Sequence, residues 1–213
     1  ILLCTPTWRA NSVRVHDADV PATINSDAVN FLKEFRDVQI DHAGQIKIGG
    51  LIGCRNDCYR PGEALSAAEA ELFHQWQIDE LASGGVDYLI AQTLPNVEEA
   101  LGIAKAMEST GLPYFISFVI SRAGVVLDGT HLNDAVKYID RNTIEKPLGY
   151  MVNCAYQGFL CADEQPDELF GRLIGYQANA SSLDHCDLDE ADNLETDAVS
   201  EWVELMLGLN QKN

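Results

Sequence analysis

The stretch VDYLIAQTLPNVEEALGIAKAMES (residues 86–109), followed by PYFISFV (residues 113–119), decides the fold of this chain. Residues 86–91 form a short apolar run, which is typical of a strand buried on both faces. Residues 96–109 place apolar side chains at helical spacing, at Val97, Ala100, Leu101, Ala104 and Met107. A strand, a helix and a second strand in this order predict a βαβ unit with parallel strands.

The same alternation extends in both directions along the chain. Further strands are predicted at residues 1–4, 46–52, 148–152 and 174–177. Further helices are predicted at residues 27–36 after a Ser26 cap, 66–82, 132–140, 166–173 and 195–207. Ser66 and Glu69 form a capping box at the start of the second of these, and Gly84–Gly85 ends it. No Gly-x-Gly-x-x-Gly turn or phosphate-binding loop follows any strand, which weakens a nucleotide-binding doubly wound fold.

Length, composition and charge indicate how many domains the chain forms and which partners it disfavours. The 213 residues are enough for one sizeable core, so we predict a single domain over residues 1–213. The chain has 14 Lys and Arg against 33 Asp and Glu, a formal net charge of -19, which makes nucleic acid and anionic membranes poor partners. No apolar run is long enough to span a bilayer. The sequence is silent on oligomeric state, and a homo-oligomer is compatible with it.

The start of the sequence bears on whether a signal peptide is present, and the cysteines bear on the cellular compartment. The start, ILLCTP, has no basic region typical of a signal peptide, and we interpret it as a strand that has lost whatever preceded it. Six cysteines lie scattered through a chain too large to need disulfides, which favours the reducing cytoplasm. They are Cys4, Cys54, Cys58, Cys154, Cys161 and Cys186.

Polar residues fall where the predicted strands end, as they do in (β/α)-barrels, whose chemistry lies past the carboxyl ends of the strands. They are Thr5, Thr7, Asn56, Asp57, Gln92, Thr93, Ser117, Asn153, Cys154, Gln177 and Asn179.

Several of these strand ends resemble the homocysteine S-methyltransferase family. The segment from Val86 to Ala100 resembles the family's "aG-x-D-x-ϕ-x-x-E-T-ϕ-P-x-x-x-E-A", where ϕ is apolar. Four more segments match in the same order along the chain: GGLIG with Tyr59, FISF with LDG and Leu132, LGYMVNC ending at Cys154, and GYQAN ending at Asn179. The resemblance implies a (β/α)8 TIM-type barrel, incomplete here and covering about strands two to seven.

The resemblance also implies an activity. The family transfers a methyl group from a donor such as S-methylmethionine or betaine to the homocysteine thiol, giving methionine. It implies a zinc ion that stabilises the bound thiolate, with Cys154 as one ligand. Gln92, Thr93, Ser117 and Asn153 are implied as substrate-binding residues; a buried structural thiol is the alternative for Cys154.

Three departures from the family pattern bear on that activity. The family's other two zinc ligands, a Cys-Cys pair at the end of the last barrel strand, have no counterpart among these residues. The Glu of the family's "E-T-ϕ-P" is Gln92, which loses the charge expected to bind the homocysteine amino group. The loop Gly53–Asn56 also differs from the family's "G-P-Y-G".

Other candidate sites have simpler explanations. Cys54 and Cys58 could form a metal or redox pair, but no second pair lies at usable spacing, so ordinary loop thiols are favoured. His185 and Cys186 lie in an acidic stretch, Asp184–Glu204, that we interpret as a solvated face. Asp128 with Gly129 indicates a turn rather than a catalytic base.

The sequence therefore predicts a methyltransferase acting on the homocysteine thiol, with small-molecule substrates. The alternative is a non-catalytic homologue that binds a small molecule or a partner chain. Gln92, the altered loop and the missing cysteine pair favour the alternative.

Overall fold

A computed structural model describes residues 1–39 and 41–212. Its strands are β1 (Leu2–Cys4), β2 (Lys47–Ile52), β3 (Tyr88–Leu94), β4 (Tyr114–Phe118), β5 (Gly149–Ala155) and β6 (Leu173–Ala178). Its α-helices are α1 (Ser12–Asp17), α2 (Ile24–Asp37), α3 (Ala67–Gly84), α4 (Val97–Glu108), α5 (Leu132–Asn142), α6 (Asp167–Phe170), α7 (His185–Asp189) and α8 (Val199–Asn210). Short 3-10 turns occupy Ala43–Gln45, Pro61–Glu63 and Gln157–Leu160.

The six strands form one parallel sheet in chain order, β1 to β6. The pairing of β2 with β3 runs from Gly49 opposite Tyr88 to Ile52 opposite Ala91. This confirms the predicted parallel arrangement. Because every strand points the same way, all six carboxyl ends lie at one edge of the sheet.

Alternate residues of each strand face two different layers. Leu89 and Ala91 belong to a large core between the sheet and its helices. Tyr88 and Ile90 belong to a smaller cluster on the other face, with Phe115, Leu51 and Met151. Gly49 makes room there, because a Cβ at this position would lie 2.3 Å from the Tyr88 ring.

A contact between distant strands shows that the sheet curves around this smaller cluster. Gln92 Nε2 on β3 lies 3.1 Å from Gln177 Oε1 on β6, three strands away. In a flat sheet, three strand spacings would separate them by about 14 Å, and their side chains would stand parallel to each other. The chain is thus an α/β fold with six parallel strands in a half-barrel, as predicted for part of a TIM-type barrel.

Helix ends follow local sequence signals in several places. The capping box before α3 forms as predicted, with the Ser66 N–H donating to Glu69 Oε2 at 3.1 Å. Gly85 ends this helix in the left-handed region, with φ of 83°. Asn96 caps α4 by accepting hydrogen bonds from the Glu98 and Glu99 N–H groups.

Other helix ends differ from prediction. Helix α2 begins after Thr23, whereas the sequence predicted its start after Ser26. The predicted helix 166–173 shrinks to Asp167–Phe170, because Leu173 pairs with Tyr150 in the sheet. The last helix begins at Val199 rather than residue 195, and the short helices α1 and α7 were missed. Within the described residues, no helix combines the length and apolar character needed to cross a membrane.

Candidate active site at the carboxyl ends of the strands

Two strands end in the same irregular backbone shape. Thr93 on β3 and Cys154 on β5 have φ of 60° and 54°, in the left-handed region that residues with a Cβ rarely adopt. Each lies where the strand pairing shifts register, between Ala91 and Leu94 and between Asn153 and Ala155. Such a conformation costs about 1–3 kcal/mol and persists only where its surroundings enforce it. Paired strain at one sheet edge points to a functional site there.

Asn153 ties the two irregular strand ends together. Its Oδ1 accepts hydrogen bonds from the Thr93 N–H at 2.9 Å and from the Ser117 hydroxyl at 2.6 Å. Its Nδ2 donates to Thr93 Oγ1 at 2.6 Å and lies 3.1 Å from Cys154 Sγ. All four hydrogen-bonding positions of this amide are therefore used by the protein itself.

Gln92 lies at the rim of this network and is only partly buried. Its side chain donates to Gln177, as described above, which leaves Gln92 Oε1 available as an acceptor. Its backbone carbonyl accepts a hydrogen bond from Trp8 Nε1 at 3.0 Å. The Trp8 ring also packs against Gly53, where a Cβ would lie 2.5 Å from the indole. Trp8 thus joins the loops after β1 and β2 to the end of β3.

The structure brings together all five residues predicted for the site. Thr93 and Cys154 lie side by side, with 3.8 Å between Oγ1 and Sγ. Thr93, Ser117 and Asn153 are buried, and Cys154 is partly exposed. Sequence reasoning missed Trp8, which carries no signal in a single sequence.

Glu99 is a second residue that sequence reasoning missed. It is 1% exposed, yet its carboxylate accepts hydrogen bonds from the Arg55 N–H at 2.8 Å and the Leu65 N–H at 3.3 Å. The buried His74 Nε2 lies 3.3 Å from the same carboxylate. Glu99 therefore holds both ends of the loop that borders the site after β2. It falls inside the family-like segment, but nothing in its spacing reveals this role.

The thiols of that loop are buried. Burial, together with the negative charge of Glu99, raises the pKa of Cys54 to about 12. Burial, with Asp57 nearby, raises the pKa of Cys58 to about 11. Both thiols stay protonated near neutral pH, and the thiolate is the form that binds metals and attacks disulfides. This supports the interpretation of Cys54 and Cys58 as ordinary loop thiols.

Asp128 acts in a turn. Its Oδ1 accepts from the Thr130 N–H at 2.9 Å, and its Oδ2 accepts from the Val97 N–H at 2.7 Å at the start of α4. A carboxylate at a helix N-terminus satisfies an otherwise unpaired donor. The predicted turn is thus confirmed, with an added capping role.

A metal ion needs several ligands, and zinc sites use at least three protein side chains. Across residues 1–39 and 41–212, no three His, Cys, Asp or Glu side chains lie close enough to hold one. Cys154 Sγ has Thr93 Oγ1 and Asn153 Nδ2 as its hydrogen-bonding partners, and neither group is a zinc ligand.

Asn153→Ala is expected to lower the free energy of unfolding by about 1–3 kcal/mol, because it leaves the buried Thr93 N–H and Ser117 hydroxyl unpaired. Urea unfolding followed by circular dichroism measures this change. Asn142→Ala is the control, since the Asn142 side chain is exposed and bonds only the Tyr138 carbonyl. Equal effects of the two substitutions would contradict the supporting role of Asn153.

Comparison with solved structures finds proteins of similar architecture. The structure of the E. coli homocysteine methyltransferase MmuM in its metallated form is similar, with a TM-score of 0.70 and 19% identity over 83% of this chain. The chain spans 66% of that protein's length. The oxidised form of MmuM matches with a TM-score of 0.67 and 16% identity, over 89% of this chain and 78% of that one. At these identities the likeness shows the fold.

No curated protein matches the chain. The family model described as homocysteine S-methyltransferase, however, matches residues 2–203, nearly the whole sequence. The chain belongs to the homocysteine S-methyltransferase family.

Proposed function

We propose that this protein transfers a methyl group from a small donor, such as S-methylmethionine or betaine, to the thiol of homocysteine. One observation carries the proposal: Thr93, Ser117, Asn153 and Cys154 form one hydrogen-bonded network at the carboxyl edge of the sheet. In a (β/α)-barrel this edge is where catalytic residues lie. Gln92 lies beside the network with one free acceptor.

These residues suit the binding of an amino-acid thiol. Gln92 Oε1 is placed to accept a hydrogen bond from the amino group of homocysteine. The thiol then lies toward Thr93 and Cys154, held in position for attack. The thiol first loses its proton to solvent. In the transfer, the thiolate sulfur then forms a bond to the methyl carbon while the bond from that carbon to the donor breaks. The electron pair of the broken bond leaves with the donor, so orientation of the two reactants is the main contribution of the protein.

Zinc, which the family resemblance implies, does not fit the side chains described above. Cys154 is a single ligand, and its hydrogen-bonding partners are an alcohol and an amide. No step of the proposed reaction is therefore assigned to a metal held by this chain.

We accordingly predict that the purified protein does not bind zinc tightly at one ion per chain. Elemental analysis after dialysis measures the metal content. The matched variant is Cys154→Ser, which keeps the size of the side chain and removes the thiol. One zinc per chain in the native protein, lost in this variant, would contradict the prediction.

A second candidate function is that of a non-catalytic homologue that binds a small molecule or a partner chain. The observation that favours it is the pairing of two neutral amides, Gln92 and Gln177, at the rim of the site. A neutral pair offers no countercharge to an ammonium group, so the amino acid would bind weakly.

An assay of methyl transfer separates the two functions. The protein is incubated with homocysteine and either donor, and the methionine formed is measured by mass spectrometry. The proposed enzyme forms methionine faster than a Thr93→Val, Cys154→Ser double variant, which keeps the shape of the site. Equal rates for the native protein and the variant would favour the binding function.

A further inference from the structure

The segment that follows β6, residues 179–197, forms a closed loop and is named here the roof segment. Its two ends meet, since the Asp197 N–H donates to the Ala180 carbonyl at 2.9 Å. The Ser182 N–H donates to Asp197 Oδ2, also at 2.9 Å. Between these ends the chain carries the short helix α7 (His185–Asp189).

Residues 182–185 of this segment contact two loops that follow other strands. After β4, Arg122 donates from Nε to Asp184 Oδ2 at 2.7 Å and from Nη2 to the Ser182 carbonyl at 2.5 Å. After β2, the Tyr59 ring stacks on the His185 ring, with centroids 4.4 Å apart and an angle of 11° between the planes. These contacts tie the roof segment to the loops after β4 and β2.

Sheet order places these contacts on either side of the site. β3 lies between β2 and β4, and it ends at Gln92, Thr93 and Leu94. Its contacts therefore place the segment between the two loops that flank the end of β3. The Gln92–Gln177 contact brings the end of β6 close enough for a short segment to reach both loops. We propose that the roof segment covers the strand-end site and swings away to admit the ligand.

The contacts between the roof segment and the neighbouring loops are weak. The side chains of Arg122 and Asp184 are 50% and 41% exposed, and ion pairs this exposed contribute little to stability. One stacked pair of rings adds a modest attraction. Beneath the roof segment, Thr93, Ser117 and Asn153 are buried and hydrogen-bonded to one another. Local opening concentrates in segments with few buried contacts, so the roof segment opens before the sheet does. Its closure removes water from the site, which strengthens polar contacts to a bound ligand.

This inference concerns access to the site and holds for either proposed function. Its probe is iodoacetamide, which alkylates accessible thiols, with Cys154 as the reporter beneath the roof. The variants are Arg122→Ala, His185→Ala and the two combined. We expect the alkylation rate of Cys154, measured by peptide mass spectrometry, to rise about three- to tenfold in the double variant.

Two controls make the result specific. Cys4, an exposed thiol on the edge strand β1, should react at the same rate in every variant. Lys137→Ala removes the ion pair with Glu168, also partly exposed but on helices away from the roof, and should leave the Cys154 rate unchanged. An unchanged Cys154 rate in the double variant would overturn the proposal. A rise at the buried core thiol Cys54 equal to that at Cys154 would also overturn it, because it would indicate general unfolding.

Discussion

Glu99→Ala is expected to lower the free energy of unfolding by about 3–5 kcal/mol, since each buried donor left without its acceptor costs about 1–3 kcal/mol. The substitution leaves the Arg55 N–H and the Leu65 N–H without their acceptor, and it leaves the buried His74 without its carboxylate. It also leaves a cavity the size of a carboxylate between α4 and the loop after β2. Urea unfolding followed by circular dichroism measures the loss.

The neighbouring glutamate supplies the matched control. Glu98 precedes Glu99 on the same helix, but it is exposed and bonds the Tyr138 hydroxyl at 2.7 Å. Glu98→Ala should change stability by no more than about 0.5 kcal/mol, as surface substitutions usually do. A loss below about 1 kcal/mol for Glu99→Ala would contradict the role of this carboxylate as an anchor.

Gln92→Glu should tighten homocysteine binding by about 1–3 kcal/mol, roughly 5- to 150-fold in affinity, because it adds a charge-assisted contact to the ammonium group. The side chain is partly exposed and of nearly the same volume, so the substitution disturbs packing little. Gln177 can donate from its own amide to the new carboxylate, which keeps the contact between β3 and β6.

The sheet was largely predictable from the sequence. Its strands are short apolar runs, and the apolar face of α4 recurs at helical spacing, so burial alone indicates the alternation. The ends of elements were less predictable. Residues 92–94 belong to β3 only because a bulge lets the strand continue past Ala91, and such a bulge depends on the neighbouring strand.

The residues of the candidate site were proposed from the sequence, whereas their arrangement was not predicted. Polar residues at strand ends, with the family resemblance, selected Thr93, Asn153 and Cys154. No local sequence pattern indicates that the Asn153 side chain makes all its hydrogen bonds within the protein, since its partners Thr93 and Ser117 lie 60 and 36 residues away. The left-handed backbone of Thr93 and Cys154 is equally hidden, because it is imposed by that network rather than by either residue's own preference.

The Glu99 anchor and the stack of Tyr59 on His185 share this property. Each joins residues far apart in sequence that carry no periodic signal. His185 was singled out for its neighbour Cys186 and the surrounding acidic residues, whereas its contact is with a ring in a distant loop.

Calorimetric titration of homocysteine into the native protein and Gln92→Glu tests most directly the claim that the strand-end site binds an amino-acid thiol. Gln45→Glu is the control, because it adds the same charge at an exposed position near the opposite edge of the sheet. 4-Mercaptobutanoate, which is homocysteine without the amino group, controls for the ligand. The account predicts tighter homocysteine binding in Gln92→Glu alone, with no gain for 4-mercaptobutanoate. Unchanged or weaker homocysteine binding in a folded Gln92→Glu protein would contradict it.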